Sequence, residues 1–121
     1  MPKELQTAIG KIFIVEDVIA TIAGTAAMEC YGLAGMASRR QVKDSLTEFL
    51  GRDNPGRGVE VQIRDDKTVV DLHIIVVYGM KISEVAHNVI EKVRYTLQDT
   101  LGITPDRINV YVQGVRVPEE K

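Results

Sequence analysis

Two histidines and a single cysteine are the side chains with which this 121-residue chain could most readily do chemistry. His73 lies two residues after Asp71, so on a strand both would share one face, as a general base and its orienting carboxylate do. Acid–base or metal chemistry would need a nucleophile or further ligands beside them, and the surrounding VVDLHIIVV offers none. A hydrogen-bonded surface histidine is the expectation. His87 falls with Glu84 and Glu91 on the polar side of a helical pattern and reads as part of a solvated face. Cys30 closes an alanine-rich stretch, where a small buried hydrophobe is expected rather than a nucleophile. The chain contains no CxxC, HExxH or GxSxG, so the common catalytic signatures are missing and no catalytic residue, cofactor or metal ligand is assigned.

Two glycine-rich stretches bear on ligand binding. Gly51 to Gly58, GRDNPGRG, has no Lys-Ser/Thr and follows a helical pattern rather than a strand, so it is an exposed turn and not a phosphate loop. Gly32-Leu33-Ala34-Gly35 is a GxxG between two helical patterns, the position at which KH domains clamp a nucleic-acid backbone. Its middle residues are apolar, and Asp44 and Glu48 dilute the Arg39, Arg40 and Lys43 that follow. A formal charge of -2 also argues against a binder driven by bulk phosphate neutralisation. Nucleic-acid binding by a KH-like regulator is therefore the alternative reading, not the first.

The elements that must hold these residues follow from periodicity. Val69–Val77 is rich in β-branched residues and too short to span a membrane, so it is the central strand. Val70, Leu72, Ile74 and Val76 form a wholly apolar face that requires a helical layer. Ile82 to Leu101 supplies one, with apolar residues at i, i+3, i+4 spacing, Ser83 as a possible cap and Gly102 as its stop. Glu16 to Cys30 is a second helix with acidic residues at its start. Gly32 to Met36 is read as the turn that ends it, and a surface helix runs from Ser38 to about Leu50.

Ala8–Ile14, Val59–Arg64 and Arg107–Gln113 complete four strands, Asp65-Asp66-Lys67 turning the chain between the second and the central one. The order β-α-(α)-β-β-α-β predicts an α+β two-layer sandwich, a four-stranded mixed sheet with helices on one face, ferredoxin-like or KH-like. Residues 1–7 are expected to be flexible, 8–115 to form one domain and 116–121 to be a polar tail. One cysteine and the lack of an apolar leader or long apolar run point to a cytoplasmic protein.

If the helices cover one face, Phe13, Ile75, Val77 and Tyr111 point out of the other around His73. Burying such side chains is worth roughly 1.5–3 kcal/mol each, so a contiguous group left in water is the mark of a contact surface. Phe13, His73, Ile75, Val77 and Tyr111 are accordingly the candidate interaction surface for a protein partner or a homo-oligomer.

Several stretches together resemble one family. Gly10-Lys11-Ile12, the run Asp17-Val18-Ile19-Ala20-Thr21-Ile22-Ala23-Gly24, the Gly32–Met36 turn, Val76-Val77-Tyr78-Gly79 and Asn109–Val115 are similar, in order and spacing, to the alkaline shock / envelope stress response proteins of Gram-positive bacteria. The family's usual Ser-Pro at the first helix start is replaced by Val15-Glu16. The resemblance implies a small, non-enzymatic, cytoplasmic protein. It also implies association into assemblies, a separate membrane anchor protein as partner for some members, and a link to fatty-acid or phospholipid supply for others. It carries over no functional residue.

Overall fold

The computed structural model describes residues 2–37 and 56–117, and the helix expected at 38–50 lies outside them. The chain runs β1 (Lys3–Gln6), β2 (Lys11–Ile14), α1 (Glu16–Met28), β3 (Leu33–Met36), β4 (Val59–Arg64), β5 (Lys67–Val77), α2 (Ile82–Leu101) and β6 (Arg107–Arg116). The class is α+β, with a four-stranded mixed sheet and two helices among the described residues.

β5 is the axis. Val70, Leu72, Ile74 and Val76 are fully buried, as their alternation demands, against Ile19, Ala23, Ala26 and Ala27 of α1 and Val89, Val93 and Leu97 of α2. The alanines of α1 let the helix lie close to the sheet. Val85, Val89, Val93 and Leu97 repeat every four residues and give α2 its buried edge.

On one side β5 pairs in parallel with β6, from Val69↔Arg107 to Val77↔Arg116, with a bulge after Ile74↔Val112 that leaves Ile75 opposite Gly114. On the other side it pairs antiparallel with β4 over residues 67–72 and with β3 over residues 74–76. β3 and β4 therefore lie end to end along one edge of β5. The join falls at His73, whose N–H donates to Gly58 O at 2.9 Å and whose carbonyl accepts from Ala37 N at 2.8 Å.

Four expectations need correction. The strand read at Ala8–Ile14 does not enter the main sheet: β2 pairs only with β1, Lys3↔Ile14 to Gln6↔Lys11, as a separate hairpin. Residues 3–6, expected to be loose, thereby gain a backbone partner, and Leu5 and Ile14 pack against the core. The fourth place in the sheet goes to Leu33–Met36. In that stretch Gly32 makes the turn at φ 95°, and a Cβ there would come within 2.9 Å of Val85. Finally, Ser83 does not cap α2, which starts after Lys81 with no side-chain cap.

Other local rules hold. α1 begins without a side-chain cap, with Glu16 and Asp17 in its first turn. α2 stops at left-handed Gly102, whose N–H donates to Gln98 O. The β4–β5 connection is a two-residue turn with φ 50° at Asp65 and 69° at Asp66, so Lys67 already pairs with Arg64. That left-handed backbone matches the twist of a tight hairpin, and aspartate tolerates it.

Candidate interaction surface

The sheet face turned away from the helices is built in rungs. Glu60, Asp71 and Asn109 stand opposite one another on β4, β5 and β6. Asn109 Nδ2 donates to Asp71 Oδ1 at 2.9 Å. His73 and Tyr111 form the next rung, their rings stacked with centroids 4.9 Å apart and planes 14° from parallel. Above them Ile75 sits between Gly35 and Gly114. Val77, opposite Arg116, completes the row.

The face therefore changes from polar to apolar along β5. His73 is only 8% exposed, which corrects its reading as a surface histidine, whereas Tyr111 remains 45% exposed above it. Ile75 and Val77 are half-buried, and Tyr78 just beyond them is exposed.

The two glycines beside Ile75 belong to this surface, although no local sequence pattern marks them. Neither has a backbone conformation that demands glycine. A Cβ on Gly35 would meet nothing within 4 Å, and one on Gly114 would touch Ile75 at an ordinary 3.9 Å. Their effect is to leave the backbone on both sides of Ile75 bare. The sequence signal was their position, each opposite an outward residue of the central strand, which only the register reveals.

Of the five residues expected on this surface, the fold brings together His73, Ile75, Val77 and Tyr111. Phe13 is not among them, because β2 left the main sheet. It is 61% exposed and lines a cleft of about 390 Å³ with Lys3, Glu4, Ile63, Asp65 and Asp66.

The remaining candidates show no catalytic arrangement. Burial pushes the Cys30 thiol up; Lys92 opposes this and Glu29 adds to it. Its Sγ points to the carbonyls of Ala26 and Asn88 at 3.9 and 3.8 Å. A raised thiol is a poor nucleophile at neutral pH. His87 is exposed, and Glu91 pairs with Arg94 at 3.2 Å. Among the described residues no group of His, Cys, Asp and Glu could hold a metal ion, and no helix is long and apolar enough to cross a membrane.

A mixed sheet with two helices on one face and a partly apolar opposite face is a ferredoxin-like α+β module, and the solved structures agree on the fold. A variant of MamM-CTD superposes with a TM-score of 0.50 at 12% identity, over 87% of this chain and 100% of that one. The family is narrower. Residues 4–117 match the model of the alkaline shock protein 23 family, described as having a cell envelope-related function, and the chain belongs to that family. It is 54% identical over 117 residues to the uncharacterized protein YloU of Bacillus subtilis (strain 168), covering 97% of this chain and 98% of that protein. It is 41% identical to the uncharacterized protein Spy1614 of Streptococcus pyogenes serotype M6, over 99% of both chains. The protein YqhY of Bacillus subtilis is 36% identical over 91% of this chain and 80% of its own length. The resemblance read from Gly10 to Val115 is thus upheld.

Proposed function

We propose that this protein is a non-enzymatic interaction module of the cell envelope, which works by binding protein and by associating with itself through the outer sheet face. The observation that supports this is the bare-shouldered Ile75 beside the His73–Tyr111 stack. Side chains are withheld from two positions where the isolated chain has room for them, and close approach by another surface is what such glycines permit. An apolar group flanked on one side by the polar rung of Glu60, Asp71 and Asn109 also suits an interface whose apolar centre meets a polar margin.

The envelope setting comes from the family; a role in alkaline or envelope stress, linked to membrane or fatty-acid homeostasis, is the finer part of this proposal and rests on the sequence resemblance. In this reading the protein reaches the membrane through a partner rather than by inserting. Sedimentation of the unmodified chain and of Ile75→Asp over a concentration series tests it. The unmodified chain is expected to associate and the variant to do so at least tenfold more weakly. Monomers in both samples would remove the proposal.

A further inference from the structure

The edge of the sheet carries a second feature, adjoining the outer face. Among the described residues β6 pairs with β5 alone, so its other edge is open. An open edge is a row of unpaired backbone groups, and proteins ordinarily blunt it with short length, proline or charge. The opposite side of the sheet follows that rule: β3 has four residues, and β4 alternates its apolar residues with Glu60, Gln62 and Arg64. β6 does not. It has ten residues, and from Ile108 to Val115, INVYVQGV, it holds neither charge nor proline. Tyr111, Val112 and Val115 along it are 38–46% exposed.

Charge returns only at the two ends. Arg107 and Arg116 are both exposed, and among the described residues neither is paired with a carboxylate. Their partners in β5, Val69 and Val77, are both outward-facing, so the two guanidinium groups rise on the same face. Eight strand steps separate those partners, which at about 3.3 Å per residue is roughly 26 Å.

We propose that the open edge of β6 receives an extended segment of a partner protein as an added strand, apolar in the middle and carrying carboxylates eight residues apart that pair with Arg107 and Arg116. Backbone hydrogen bonds supply the attachment and the arginine clamp supplies the selection. The matching charge at both ends accepts a segment in either direction. A second β6 fits poorly, since antiparallel self-pairing centred on the uncharged run would set Arg107 against Arg116 across the axis.

The probe is a labelled nine-residue peptide of alternating valine and threonine with glutamate at both ends, compared with the same peptide ended in lysine. The glutamate peptide is expected to bind the full chain at least tenfold more tightly by fluorescence anisotropy, and to shift the amide resonances of residues 107–116. In the Arg107→Glu, Arg116→Glu variant the preference is expected to invert. On the unmodified chain, raising the salt is expected to shrink the preference, because exposed charge pairs are screened. Equal binding of both peptides, binding of neither, or an unchanged preference in the variant or at high salt would overturn the proposal. Resonance shifts centred on Ile75 would overturn it too, while leaving the outer face as the docking surface.

Discussion

Asn109 Nδ2 reaches across the parallel β5–β6 pair to donate to Asp71 Oδ1 at 2.9 Å, one rung from the stacked rings of His73 and Tyr111. The two rungs join the same strands in different ways, one by a charge-assisted hydrogen bond and the other by ring contact. Both residues of the polar rung are half-buried, so the bond is partly shielded from water. It lies on the flank of the apolar patch, in the rung next to Tyr111.

This bond has a measurable coupling. Asp71→Ala and Asn109→Ala are each expected to lower stability by about 1.5 kcal/mol, the lower end for a hydrogen bond to a charged group, since both residues are half-buried. A double-mutant cycle by urea denaturation should give a coupling of at least about 0.5 kcal/mol, a threshold of the order found for contacting residues. Additive losses would mean that the two side chains do not hold one another.

Two glycines should behave in opposite ways when given a methyl group. At Gly58 an added Cβ would come within 2.5 Å of Ala37 O and 2.9 Å of His73 O, both backbone atoms. Gly58→Ala must push the β3–β4 join apart, and a loss of roughly 3 kcal/mol, at the upper end for ordinary substitutions, is expected by thermal or chemical denaturation. Gly35→Ala meets no neighbour, so its stability should change by less than about 0.5 kcal/mol. Its association, followed by sedimentation, should nevertheless weaken, because the methyl stands where another surface must approach. Unchanged association with unchanged stability would argue that Gly35 serves no contact.

Cys30 gives a pH signature. Burial is the main cause that raises its thiol above the ordinary range, so the folded protein favours the neutral form. That contribution to stability is fully present below the unfolded thiol's pKa and is lost as pH rises through the folded one. Stability of the unmodified chain should therefore fall more steeply on the alkaline side than that of Cys30→Ser. Alkylation at neutral pH should be slower than that of a free thiol and should accelerate at alkaline pH. Fast labelling at neutral pH would show that the thiol is not held up.

Most of the architecture was legible because it rests on periodicity. The alternation of Val70, Leu72, Ile74 and Val76 and the four-residue repeat from Val85 to Leu97 leave only one way to bury both. What could not be read was pairing. Lys11–Ile14 and Leu33–Met36 are both short runs of strand type, and nothing local says which lies beside β5. The decision is made by distant contacts, by Gly32 turning under Val85 and by Leu5 finding the core beside Ile14. Phe13 was misplaced for that reason alone. Strand alternation alone sets His73 on the outer face, but its low exposure depends on neighbours that a single strand's pattern does not contain.

The interrupted rail along one edge of β5 has a consequence for how this protein can vary. Ala37 and Gly58 both fasten to the backbone of His73, so β3 and β4 share one anchor on the central strand. A substitution that shifts the backbone of His73 must therefore disturb both strands together, whereas a change at the far tip of either is felt by that strand alone.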